Sequence, residues 1–177
     1  MGAIAGEKRG LLERMDETMK EDKILNVAYG SNLNLEQMAY RCPTAKVYGK
    51  GMLLDYQLLF KGREDNAYAT IEPKRGSKVP VLVWELQPED EKALDYYEGY
   101  PRFYEKKEVN LYLETGERIT AMVYIMTDEV MERIQLNLPS RSYLETVKAG
   151  YGRAGFDKKY IEAALGVSGK GGRCDEK

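Results

Sequence analysis

The middle of the chain is strand-rich, and its strands follow one another with a single helical pattern among them. That order constrains the fold more than any other feature. Lys50 to Lys61 places Leu54, Tyr56, Leu58 and Phe60 on one face at period two. Ala67 to Glu72 is a second candidate strand, followed by the turn Pro73-Lys74-Arg75-Gly76. Val79 to Leu86 reads VPVLVWEL and is apolar enough for a central strand, with Pro80 confined to its start or to an edge. Phe103 to Leu113 and Arg118 to Met126 form a hairpin across Glu114-Thr115-Gly116-Glu117. The helix among these strands starts at Pro88, with Glu89, Asp90 and Glu91 at its positive end. It carries Ala93, Leu94 and Tyr97 inward and stops at Gly99, a natural C-terminal cap.

Before this region, Ile24 to Tyr29 reads as a short strand broken by Gly30-Ser31-Asn32. Asn34 then caps a short helix, with Gln37 placed for a capping box and Pro43 ending it. After residue 127 the pattern turns helical: Asp128–Gln135, Ser142–Gly150 with a Ser142/Glu145 capping box, and Lys158–Leu165 capped by Asp157. Strands and helices do not alternate strictly. This argues for α+β with a curved or barrel-like mixed sheet, and against a doubly wound parallel sheet.

A chain of 177 residues holds one domain with a proper core, and residues 23–165 are expected to form it. Residues 1–22 read as an appendage, in which Leu11, Leu12, Met15 and Met19 fall at helical spacing. Residues 166–177 contain four glycines and alternating charge, which predicts a frayed tail.

Several classes of chemistry are excluded. The chain has no histidine, so imidazole bases and histidine-ligated metals cannot be built. Its two cysteines, Cys42 and Cys174, are too few for a four-thiolate site and read as free thiols of a reducing cytoplasm. Six acidic and four basic groups fall in residues 1–22, which leaves 23 of each sign elsewhere. A neutral body offers nothing to a nucleic-acid backbone. No apolar run reaches the length of a membrane span, and Met1 to Gly6 is a poor signal peptide. Chemistry is left to carboxylates, hydroxyls, amines and backbone dipoles.

Gly150-Tyr151-Gly152-Arg153-Ala154-Gly155 matches G-x-G-x-x-G but follows a helix and has only 22 residues after it. It reads as a loop between helices, not a dinucleotide site. Tyr29-Gly30-Ser31-Asn32-Leu33 runs from a strand through a tight turn into a capped helix. Such a turn points several N–H groups one way, as a nest for a carboxylate or an oxyanion. An ordinary β-turn after an edge strand has the same composition, and both readings stay open on these five residues. Glu98 falls in the last turn of its helix, where free carbonyls make the field negative. With Tyr96, Tyr97 and Tyr100 close by, desolvation adds to that field, and both raise a carboxylate's pKa toward general acid/base use. A solvated helix-end glutamate is the plain alternative. Asp95 reads as solvated or as a local partner. Pro139-Ser140-Arg141-Ser142-Tyr143 is a helix start whose Tyr143 either enters a cleft or packs.

In this order and spacing these segments resemble the γ-glutamylcyclotransferase-like (AIG2-like) family. The matching pieces are Tyr29-Gly30-Ser31-Asn32-Leu33, then Leu94-Asp95-x-x-Glu98-Gly99-Tyr100-Pro101-x-x-Tyr104, then Pro139-Ser140-x-x-Tyr143. The resemblance covers about residues 24–165, and residues 1–22 have no counterpart in it. It implies a small mixed β-barrel flanked by helices, with Glu98 as catalytic acid/base. It also implies a γ-glutamyl group bound by Tyr29, Gly30, Ser31, Asn32 and Leu33, with Tyr104 and Tyr143 beside it. The glutathione-degrading ChaC-type branch carries a shorter Tyr-Gly-Ser-Leu loop, from which this sequence departs. The implied reaction is attack of the substrate's α-amine on its own γ-carbonyl, releasing 5-oxoproline and an amine or amino acid, with no metal or cofactor. A non-catalytic γ-glutamyl-binding, stress-associated module and the same chemistry on a carrier-bound γ-glutamyl group are the alternatives. The expected partner is a small molecule, not nucleic acid or membrane, and monomer and homodimer stay open. Arg63, Arg102 and Arg141 are candidates for carboxylate recognition, or plain surface arginines.

Overall fold

The VPVLVWEL run is the end of a strand far longer than its pattern suggests. In the computed structural model, which describes residues 23–171, this strand, β3, spans Asn66–Leu86. It pairs along its length with β2 (Lys46–Arg63). The other strands are β1 (Ile24–Ala28), β4 (Tyr104–Leu113), β5 (Arg118–Met126) and the two-residue β6 (Gln135–Leu136). The helices are α1 (Leu35–Arg41), α2 (Pro88–Glu98), α3 (Asp128–Arg133), α4 (Arg141–Ala154) and α5 (Lys159–Gly171). A 3-10 turn, Ser31–Leu33, joins β1 to α1.

The strands run β3-β1-β5-β4-β2, and β2 pairs back onto β3. The sheet is therefore a closed five-stranded barrel, with β6 added to β2. The β1–β5 pair is parallel and the others antiparallel, so the barrel is mixed. The expected α+β fold, a small mixed β-barrel flanked by helices, holds.

Closure explains the all-apolar run. Val79, Val81 and Val83 join Val27, Phe60, Leu111 and Val123 in one cluster, to which every barrel strand contributes. Leu82, Trp84 and Leu86 join Leu94, Val147, Tyr151 and Ile161 in a second cluster between barrel wall and helices. Successive side chains point to opposite faces. A strand covered on both faces is apolar at every position.

Several expectations are corrected. Ala67–Glu72 and Val79–Leu86 are one strand, because β3 bends through Pro73–Gly76 without ending. The partner strand bends with it at Asp55, whose φ is 61° and whose Oδ1 accepts from the Gly76 N–H at 2.8 Å. The register shifts between Leu54 and Tyr56. Between those pairs Asp55 of β2 and residues 74–77 of β3 have no ladder partner, and Leu54 beside the break is turned outward at 48% exposure while Leu53 is buried. Pro80 pairs with β2 alone, since β1 reaches only to Leu82; this is the edge position expected.

The Asn34 side chain accepts from Gln37 N at 3.1 Å. Gln37 Oε1 turns to Arg41 instead of completing the box. α4 is capped by Ser140, which accepts from Tyr143 N, and not by Ser142. Glu145 pairs with Arg141 instead. Gly150 and Gly152 lie inside α4, and only Gly155 (φ 75°) ends it, so the glycine motif is helical and not a loop. α5 continues past Leu165 to Gly171. Residues 166–171 are thus helical, with Ser168 buried. The appendage 1–22, the rest of the expected tail and Cys174 lie outside the described residues. Cys42 is a buried free cysteine, and burial pushes its thiol up to about 11, which keeps it protonated. Among the described residues no helix is long and apolar enough to cross a membrane.

Candidate active site

β1 ends at the turn that builds one wall of the site. The Leu33 N–H closes onto Gly30 O at 3.1 Å and the Asn34 N–H onto Ser31 O at 3.0 Å. The N–H groups of Gly30, Ser31 and Asn32 donate to no backbone acceptor among the described residues, and all three residues line a recess. The turn is pinned from behind, where Trp84 Nε1 donates to Asn32 O at 2.9 Å. Of the five motif residues, Leu33 is the exception. Its amide is committed, and its buried side chain packs in the helix-side cluster, away from the recess.

α2 delivers the carboxylate. A capping box between Gln87 and Asp90 starts the helix, and Gly99 at φ 64° ends it, leaving Glu98 as the last helical residue. Asn32 Nδ2 donates to Glu98 Oε1 at 2.8 Å, while Arg41 Nη1 donates to Asn32 Oδ1 at 2.8 Å. An amide oxygen turned to a guanidinium must present its NH2 on the other side, so Arg41 fixes which group Glu98 meets. Burial pushes the Glu98 carboxyl up to about 7, against the opposing pull of Asn32 and Arg41. The expected rise is present, but its enclosure differs. Tyr96, Tyr97 and Tyr100 remain 92%, 45% and 41% exposed. Tyr29, Tyr104, Tyr124 and Tyr143, from four other segments, line the recess with Glu98. Tyr97, expected to face inward, lies instead under the Arg41 guanidinium, 3.5 Å from its ring centre.

The hydroxyls divide into committed and free. Tyr29 donates to Tyr124 O (2.6 Å), Tyr104 to Ala69 O (2.7 Å) and Tyr124 to Asp95 Oδ1 (2.6 Å). Tyr143 Oη instead accepts from Ala69 N at 3.1 Å, which leaves its own proton available to a ligand. Burial raises the pKa of Tyr143, so that proton is retained. Asp95 is a local partner, held between Tyr124 and the Lys106 ammonium.

The recess is narrow, about 30 Å3, and opens past Ser31, Glu98, Tyr104 and Tyr143 into a vestibule of about 350 Å3. Arg63, Arg102 and Arg141 line neither space. All three are exposed surface arginines. Arg41 and Tyr124 belong to the site and escaped the sequence reading. Arg41 sits nine residues from Asn32 on a helix face with no distinguishing pattern, and Tyr124 looks like any strand aromatic. Among the described residues, no group of three or more Cys, Asp or Glu is placed to hold a metal ion.

Comparison with known proteins gives one consistent result. A family described as γ-glutamyl cyclotransferase, AIG2-like, matches residues 27–145. The human γ-glutamylcyclotransferase is 29% identical over 80% of this chain and 77% of its own length. The bovine one is 30% identical over 78% and 76%. A solved structure of a γ-glutamyl cyclotransferase superposes with a TM-score of 0.68 at 28% identity, covering 81% of this chain and 86% of that one.

Proposed function

The chain belongs to the γ-glutamyl cyclotransferase, AIG2-like family, and we propose that it releases 5-oxoproline from γ-glutamyl conjugates by intramolecular cyclisation. The substrate's α-amine attacks its own γ-carbonyl carbon. A new C–N bond closes the five-membered lactam as the bond to the leaving nitrogen breaks. Holding both reactants in one molecule supplies the nucleophile at high effective molarity. Glu98 takes the proton that the attacking nitrogen gives up, then returns it to the departing nitrogen. Atoms balance without water, and the products are 5-oxoproline and a free amine or amino acid.

Each step has a group in place. The Glu98 carboxyl, pushed up to about 7, takes and gives a proton near neutrality with little bias either way. The tetrahedral oxyanion has the Gly30, Ser31 and Asn32 amides as donors, and fixed N–H groups aimed at developing charge lower such barriers. The Tyr143 hydroxyl supplies one further donor to the γ-glutamyl group, and Tyr29 and Tyr104 shape the recess that receives it. The observation that carries the reading is a half-buried, desolvated carboxylate lining one recess with three unengaged amides. Pure ligand binding does not call for a carboxyl poised at neutrality.

Incubation with a panel of γ-glutamyl amino acids and amines is expected to yield 5-oxoproline. Glu98→Gln is expected to lower turnover by about 100-fold or more while leaving ligand binding in place. Binding without 5-oxoproline from any conjugate would instead support a non-catalytic module. Full activity in Glu98→Gln would refute the mechanism.

A further inference from the structure

We infer that the vestibule selects conjugates whose leaving amine carries an aromatic or bulky apolar side chain; this rests on the cyclotransferase reading above. The geometry orders the substrate along one line. The recess is too narrow for more than a slender polar chain, and it meets the vestibule at Ser31, Glu98, Tyr104 and Tyr143. The bond that breaks must lie beside Glu98, because Glu98 moves the proton. Whatever lies beyond Glu98 on the vestibule side is therefore the leaving group.

The walls there are rings. Tyr68 meets Phe103 edge-on at 6.4 Å and Tyr143 edge-on at 5.1 Å, and Phe103 leans on Tyr104 at 5.2 Å. These contacts hold the rings before any ligand arrives, so little ordering remains to be done on binding. Tyr97 lines the vestibule with one face already covered by Arg41, which itself lies outside the lining. Its other face is free to stack. No lysine or arginine lines the vestibule, and its single charged side chain is Glu98. Recognition there is by ring contact and apolar burial, not by pairing with a charge.

The experiment compares γ-glutamylphenylalanine with γ-glutamylglycine, reading kcat/KM from 5-oxoproline release by the full chain. The phenylalanine conjugate is expected to be better by about tenfold or more, the value of burying one aromatic side chain. Tyr97→Ala and Phe103→Ala should each collapse that ratio toward one, while Tyr112→Ala, at an exposed tyrosine on β4 outside the site, should not. Should Phe103→Ala fail to fold, Tyr96→Ala tests the same wall at a residue 92% exposed. Equal kcat/KM for the two conjugates, with 5-oxoproline formed from both, overturns this inference and leaves the cyclotransferase reading standing. No 5-oxoproline from either overturns this inference, and silence across the whole panel of amino-acid and amine conjugates overturns both.

Discussion

Glu98 meets two opposed demands. Catalysis asks for a carboxyl that exchanges a proton near neutrality, and burial supplies it by making the charged form unfavourable. The same burial must weaken the fold wherever Glu98 is ionised. An acid with a folded pKa near 7 and an unfolded value near 4.5 binds more proton in the native state between those values. Stability therefore falls as pH rises through that window and stays lower above it. A shift of this size corresponds to about 3 kcal/mol at full ionisation, as an upper bound. Glu98→Gln removes the charge and keeps an acceptor for Asn32. It should raise Tm at pH 8 by several degrees and change it little at pH 4, where the native carboxyl is already neutral. Thermal melts of both proteins at the two pH values check this. An unchanged difference across pH would mean that Glu98 is not desolvated.

At the scale of elements, the turn that carries Ser31 and Asn32 has no support of its own beyond three residues of 3-10 backbone. Trp84 pins it from behind, and α4 packs against it with Gly150 at the close approach. A Cβ at that position would lie 2.6 Å from Leu33 Cβ and 2.8 Å from the Leu33 carbonyl carbon. Neither atom can swing aside as a long side chain would. Two effects compete in Gly150→Ala. Helix propensity favours alanine by about 1 kcal/mol, and overpacking against backbone opposes it by about 1–3 kcal/mol. The second wins because the clash is with the turn itself. Gly150→Ala is therefore expected to lower both Tm and kcat/KM, as relief comes only by displacing the turn that bears the amides. Gly152→Ala, two residues on and with nothing within 4 Å, should show propensity alone and raise Tm. Denaturant melts of the two variants test the contrast, and a like-signed effect would refute it.

Over the whole molecule, what was legible in the sequence was what is local. The Asn34 cap, the Pro88 start and the Gly99 stop each depend on a few neighbouring residues, and the structure keeps them; the period-two face of β2 is kept at Leu58 and Phe60 and lost at Leu54. Glu98 and the 29–33 turn stood out because a motif is also local. Arg41 lies close to Asn32 in the chain but on a helix face without a pattern, whereas Tyr124 and Ala69 reach the site only because distant strands assemble into the barrel, which no short window of sequence encodes. The bend at Asp55 was hidden for the same reason, since it is matched by Gly76 on the other strand. The helical end of the chain shows the same dependence. β2 touches β4 at only two residue pairs, Gly51–Leu113 and Met52–Tyr112, so most of its outer edge is left without a strand. β6 and α5 cover part of that edge. Ser168 Oγ accepts from the Phe60 N–H at 2.9 Å, and a Cβ at Gly171 would press on Leu136 at 2.6 Å. A glycine-rich composition suggested fraying, yet here the small residues let α5 lie close to β6. Ser168→Ala strands the buried Phe60 N–H, which costs about 1–3 kcal/mol. In a domain of this size that is a fall in Tm of roughly 2–10 °C, whereas a frayed tail would show none. Ending the chain after Leu165 should cost at least as much, because it removes the Ser168 cap together with the packing on Leu136. Calorimetry on the two variants decides it, and a truncated chain that melts with the full-length protein would mean α5 contributes nothing beyond residue 165.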